Sequence, residues 1–170
     1  MPRRYLDAMR TAATAVVLAV ALIAAGCAAE AAEEQAAADF SVQTFDGATF
    51  TLSDHLAEDG RPVFLNLWAA WCAPCRAEMP DIDEAATRNT DVAFVGVAVK
   101  DEFSKAEAFA DEIGVSYLLA FDTRMEVDAG YDPIGLPASY IISADGIIVE
   151  RVFGPLTGDQ IDAKLAEHFG

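Results

Sequence analysis

The chain has 170 residues, 54% of them hydrophobic, and 28 acidic side chains against 11 lysines and arginines leave a net charge of −17. That balance excludes nucleic-acid binding through phosphate neutralisation and disfavours adsorption to anionic lipid headgroups by charge alone. From Phe40 onward the length suits one domain with a full-sized core.

Arg3, Arg4 and Arg10 precede an uncharged stretch from Thr11 to Ala25, followed by Gly26-Cys27. This is the layout of a secretory signal with small residues before its cut. The stretch is short for a spanning helix, which needs ~20 apolar residues. Residues 1–26 resemble a bacterial lipoprotein signal peptide, and by that resemblance Cys27 is the residue exposed by the cut and lipidated. Ala24 stands where the lipoprotein pattern has Leu, which leaves ordinary secretion or an uncleaved anchor as alternatives, and a start at Met9 would give a tidier leader. Because the leader carries Arg3, Arg4 and Arg10 against Asp7, the rest of the chain is more acidic still, and a membrane link would rest on the lipid. Residues 28–39 are almost wholly Ala, Glu and Gln, with no aromatic or branched apolar side chain to bury. They read as a tether or marginal helix. The expected plan is a signal peptide at 1–26, a lipidated cysteine with flexible tether at 27–39, and one folded domain at 40–170.

Within that domain, Ser41–Phe45 and Ala48–Phe50 flank Asp46-Gly47, the signal of a β-hairpin. Thr51 to Leu56 follows as a turn or short helix. Val63 to Trp68 is a continuous apolar run, the mark of a central strand buried on both faces. A helix is expected from Pro74 towards Arg88, a second buried strand from Val92 to Val99, and an amphipathic helix from Glu102 to Ile113 with Phe103, Ala106, Phe109, Ala110 and Ile113 inward. Strand, helix, strand implies a parallel pair with a right-handed crossover. Tyr117 to Phe121 reads as a short extended piece and Thr123 to Gly130 as a short helix. Ser139–Ser143 and Ile147–Phe153 form an antiparallel hairpin about Ala144-Asp145-Gly146, and Gly158 to Phe169 closes the domain as a helix.

Trp71-Cys72-Ala73-Pro74-Cys75 stands at the junction of the first buried strand and its helix. A helix N-terminus carries unpaired N–H groups and about half a positive charge, which favours a thiolate and lowers its pKa from about 8.5 to between ~3.5 and ~7.5. Cys72 would be that thiolate. Cys75, one turn deeper on the same face, can attack a mixed disulfide formed at Cys72. Pro74 suits a first turn, where a missing N–H does no harm. A CxxC can also be half of a zinc site, but the remaining Cys27, His55 and His168 have no ligand-pair spacing. His55 and His168 are assigned no role, Trp68 and Phe64 are expected in the core, and Asp81, Asp83 and Glu84 read as a solvated helix face.

From Asn66 to Pro80, with Gly135-Leu136-Pro137-Ala138-Ser139-Tyr140 and Asp145-Gly146, the chain resembles the TlpA/ResA-like (DsbE-like) thioredoxin-fold thiol:disulfide oxidoreductases, which are membrane-tethered outside the cytoplasm. The resemblance covers roughly Phe40 to Gly170. It implies an α/β thioredoxin-like fold: a central mixed sheet, flanking helices and an N-terminal β-hairpin. Pro137 is then the cis-proline facing the disulfide, which turns the Leu136 backbone towards the dithiol to pair with an extended substrate, while Trp71 shields the pair and meets the partner. Ala138 departs from the Thr common in relatives. Asn66 stands six residues before Cys72, where cytoplasmic thioredoxin has a buried, proton-moving Asp. Asn cannot titrate, and the resemblance passes that role to Glu78, three residues after Cys75; an exposed first-turn glutamate is the alternative.

The implied activity needs no cofactor beyond the redox-active disulfide Cys72–Cys75. It is reduction of disulfides in exported proteins of the cell envelope, with apocytochrome c among the candidate substrates and a membrane thiol donor of the DsbD/CcdA type to recharge the pair. Oxidation in the same fold, or a Cu(I)-binding metallochaperone module holding the ion between the two thiolates, are the alternatives. A peroxidase of the peroxiredoxin type shares the fold, but its Thr-rich first-turn setting is not seen.

Overall fold

In the computed structural model, residues 35–170 are described; the leader and the lipidation site Cys27 lie outside the described residues. In chain order the elements are β1 (Gln35–Ala36), β2 (Ser41–Thr44), β3 (Thr49–Thr51), α1 (Leu52–Glu58), β4 (Val63–Trp68), α2 (Ala73–Arg88), β5 (Ala93–Ala98), α3 (Phe103–Ile113), β6 (Leu118–Phe121), α4 (Glu126–Tyr131), β7 (Ala138–Ile142), β8 (Ile147–Phe153) and α5 (Gly158–Phe169). They build one mixed sheet in the order β1-β8-β7-β4-β5-β6-β2-β3. This is the expected thioredoxin-like arrangement, including the β2–β3 hairpin.

β4 is buried at all six positions because helices cover both faces. Phe64 and Trp68 point into a core with Met79 and Ile82 of α2, Phe109 of α3 and Ile161 and Leu165 of α5. Val63, Leu65 and Leu67 point the other way, onto Phe40, Leu52, Val127 and Tyr131. Alternation in β4 is therefore absent from the sequence and present in space. β5 lies parallel on one edge and β7 antiparallel on the other, with Trp68 opposite Ala98 and Leu67 opposite Ala138. α5 starts on a capping box in which the Thr157 side chain accepts from the Gln160 N–H and Gln160 returns the bond.

Three expectations are corrected. The tether does not run to Asp39: Gln35–Ala36 pairs with Ile147–Ile148, the Ala37 N–H reaches the Gly146 carbonyl at 2.8 Å, and Asp39 accepts from the Ser53 N–H and hydroxyl. Backbone pairing onto an edge strand asks nothing of side-chain hydrophobicity, so composition could not show it. Phe103 stays 44% exposed, because it opens α3 beyond the sheet and only leans on Phe45 and Phe121. Asp83 is not merely solvated; its carboxylate accepts from both the N–H and the hydroxyl of Ser116, pinning the loop before β6 to α2.

Gly96, in the middle of β5, is required by its neighbours. A Cβ there would lie 2.7 Å from Leu119 Cδ2, 3.0 Å from Tyr117 Cε2 and 3.2 Å from Trp68 Nε1. Two of those three belong to rigid buried rings. Gly96→Ala is expected to lower unfolding stability by ~1–3 kcal/mol, as overpacking does, measured by urea titration.

Candidate active site

β4 ends at Trp68, and the next residues turn tightly, with the Cys72 N–H bonding the Ala69 carbonyl at 3.0 Å. Cys72 is the N-cap of α2, in extended backbone, and its Sγ accepts from the Cys75 N–H at 3.3 Å. A sulfur at this position faces the free N–H groups and the positive end of a sixteen-residue helix, which favours the thiolate once the pair is reduced. Cys72 and Cys75 are joined in a disulfide, their Cα atoms 5.3 Å apart. Cys72 keeps 3% of its surface exposed and Cys75 none, so the first thiol can be approached and the second only from Cys72.

Glu78 lies one turn beyond Cys75, at the (i, i+3) spacing that puts Cβ atoms roughly 5–6 Å apart. It is not the exposed first-turn glutamate of the alternative expectation, being 3% exposed. Its Oε1 accepts from Asn66 Nδ2 at 2.9 Å and its Oε2 from the Leu156 N–H at 3.0 Å. Asn66 Nδ2 also reaches Ser139 Oγ at 3.2 Å. Burial pushes the Glu78 carboxyl up from the ordinary 4.5 to about 7, against the two hydrogen bonds, which favour its ionised form. The phenol of Tyr117 is pushed up as well, first by burial and then by the charges of Glu78 and Asp83.

The Leu136–Pro137 peptide bond is cis. Ala138 pairs with Leu67, so Pro137 stands one residue beyond that pair, at the end of β4 from which the Cys72 loop leaves. The Pro137 carbonyl is taken by the Gly154 N–H at 2.9 Å. Among the described residues the Leu136 N–H and carbonyl make no bond to another backbone group, while its half-buried side chain rests against both core clusters. Trp71 is 63% exposed, and its indole N–H is held by the Lys100 carbonyl at 3.1 Å. Arg76, the first cation of α2, is turned aside: its guanidinium lies 4.0 Å over the Phe109 ring and pairs with Glu112 at 3.1 Å.

The site thus gathers Trp71, Cys72, Cys75, Glu78, Leu136 and Pro137 at one end of the sheet. His55 and His168 bond instead to the Arg61 carbonyl and to Glu150. Sequence reasoning missed Ser139 and the Leu156 N–H as parts of the Glu78 pocket, and Lys100 and Asp101 as supports of the Trp71 loop. Asn66 carried the only signal, as an amide in the middle of an apolar run.

Residues 34–151 match the profile of the AhpC/TSA family. The chain is 34% identical over 136 residues to the thiol-disulfide oxidoreductase ResA of Oceanobacillus iheyensis, covering 76% of this chain and 69% of that protein. It is 32% identical over 120 residues to the thiol:disulfide interchange protein HelX of Rhodobacter capsulatus, covering 70% and 67%. Among solved structures it resembles the exposed lipoprotein thioredoxin Etrx1 of Streptococcus pneumoniae, with a TM-score of 0.67 and 27% identity over 76% of this chain and 99% of that one. With a disulfide at the N-cap of the helix that follows its central strand, the chain belongs to the AhpC/TSA family of thioredoxin-fold proteins and is a thiol:disulfide oxidoreductase whose redox centre is its own cysteine pair.

Proposed function

We propose that the protein is a lipid-anchored reductase of disulfides in exported proteins, working outside the cytoplasm with Cys72 as the attacking and Cys75 as the resolving thiol. The observation that carries this is the Cys72–Cys75 disulfide at the N-cap of α2, with the buried Glu78 carboxyl one turn beyond the fully buried Cys75. Reduced Cys72 thiolate attacks a substrate disulfide, forming a mixed disulfide and releasing one substrate thiolate, which takes a proton from water. Cys75 then gives its proton to Glu78 and attacks Cys72 Sγ, so the second substrate thiolate leaves and the Cys72–Cys75 disulfide closes. Two electrons pass from the dithiol to the substrate, and a thiol donor of the DsbD/CcdA type at the membrane returns them. Leu136 offers its N–H and carbonyl, which have no backbone partner among the described residues, to an extended substrate segment beside Pro137.

Two contacts near the pair support reduction as the direction of transfer. Arg76 is spent on Phe109 and Glu112, and Cys75 is buried beside a carboxyl group. Strong oxidants of this fold owe their potential to a stabilised reduced state, which these contacts do not supply. Cys27 as lipid attachment point, residues 1–26 as its signal and residues 27–34 as tether complete the proposal, and a relative of 27% identity is named an exposed lipoprotein. Apocytochrome c remains the candidate among exported substrates.

A potential near or below about −270 mV against glutathione is expected, and one near −120 mV would reverse the direction. Cys75→Ser should accumulate covalent partners at Cys72 in envelope extracts, and recovering none would count against exchange. Cys27→Ser should release the protein from the membrane fraction. For Glu78 the sign is set by a folded pKa above the unfolded one: the folded chain keeps a proton that the unfolded chain has released. The resulting stability is full below about pH 4.5 and declines as pH rises to about 7, by about 3 kcal/mol. Glu78→Gln should lack that decline in urea titrations and slow resolution of the mixed disulfide by ~100-fold or more, with no inflection near pH 7.

A further inference from the structure

The loop after β5 makes contacts that exchange chemistry does not require. The Ala70 N–H, two residues before Cys72, donates to Asp101 Oδ2 at 2.5 Å, and the other carboxylate oxygen receives the Glu102 N–H at 2.8 Å. One residue earlier the Lys100 carbonyl takes the Trp71 indole N–H at 3.1 Å. Lys100 does this in left-handed backbone, φ +52°, where a non-glycine residue is uncommon and persists only when its surroundings hold it. Its ammonium group pairs with Asp128 Oδ1 of α4 at 2.9 Å. The Asp128 N–H is itself bound by the buried Asp122, whose own N–H is tied to the Ala98 carbonyl at the end of β5.

Two loops of the rim are thereby joined through a third. Trp71 stands on the loop before Cys72, and α4 leads into the loop that ends at Pro137, where Ile134 is 83% exposed. Since the polar atom of Trp71 is already bound, the surface it presents to solvent is its apolar ring, and that bond restrains the ring before any substrate arrives. A large side chain fixed in advance loses little rotamer freedom on binding, so its contact translates into affinity.

We propose that Lys100 and Asp101 are positioning residues that bracket Trp71, and that the held indole selects disulfides whose attacked cysteine is flanked by a large apolar side chain. The proposal rests on Cys72 exchanging with peptide disulfides, which a peptide lacking such a flank measures separately.

The test compares two cyclic disulfide peptides, one with Leu and one with Gly beside the attacked cysteine. The wild-type protein should prefer the Leu peptide through a lower KM, and Trp71→Ala should abolish the preference. Asp101→Ala should cut it by about tenfold, as loss of a charge-assisted bond would, while the Cys72–Cys75 potential stays where it was. Asp101→Asn, which keeps an acceptor, should retain most of it and serves where the alanine variant does not fold. With 5-fluorotryptophan incorporated, the Trp71 resonance, assigned from Trp71→Phe, should shift or broaden in Asp101→Ala. Equal turnover of both peptides by the wild type, or a preference and resonance untouched by Asp101→Ala, would overturn the bracket alone. Turnover of neither peptide would remove both the bracket and the exchange on which it rests.

Discussion

Pairing of β4 with β5 on one edge and β7 on the other decides where all the chemistry of this protein occurs. The strand is covered on both faces, so a register slip of one residue would send Trp68 and Leu67 to opposite cores and is strongly resisted. With the register held, Trp68 sits opposite Ala98 and Leu67 opposite Ala138. The loops that follow β4 and β5 and the loop that precedes β7 therefore emerge at one end of the sheet. Disulfide, Trp71 bracket and cis-proline are neighbours because three strands are aligned.

A second consequence of that strand is the polar pocket inside it. Asn66 points to the face covered by α2 and binds Glu78, which that helix brings down onto it, while Ser139 and the Leu156 N–H close the set. Burying a carboxyl group is costly unless its hydrogen bonds are met, and here two are met while burial still raises the pKa to about 7. An apolar residue at position 78 would avoid that cost. A buried carboxyl one helical turn from Cys75 is the basis on which we propose Glu78 as its proton acceptor.

Charge separates the surface from this interior. The acidic exterior, −17 over the chain, gives no electrostatic reason to adsorb on phosphate-rich surfaces. Around the dithiol the cations are committed elsewhere: Arg76 to Phe109 and Glu112, Lys100 to Asp128. The N-terminus of α2 turns its positive end towards Cys72, a fixed dipole of modest size.

Much of this was legible in the order of residues. The unbroken apolar run at 63–68, the CxxC with proline at a helix start and the Asp-Gly turns are local patterns, and local patterns report local conformation. Phe103, predicted inward from helical periodicity, shows the limit, because periodicity gives the face of a helix and not how far the sheet beneath it extends. The strand at Gln35–Ala36 was invisible for a related reason: backbone hydrogen bonds carry no side-chain signature. What the sequence determined by itself is which residues could do redox chemistry and where in the chain they lie. Only the tertiary structure decided that Asn66 and the Leu156 N–H meet Glu78, and that Lys100 and Asp101 hold the Trp71 loop, since these partners lie 12 to 78 residues apart and are joined by strand register rather than by spacing.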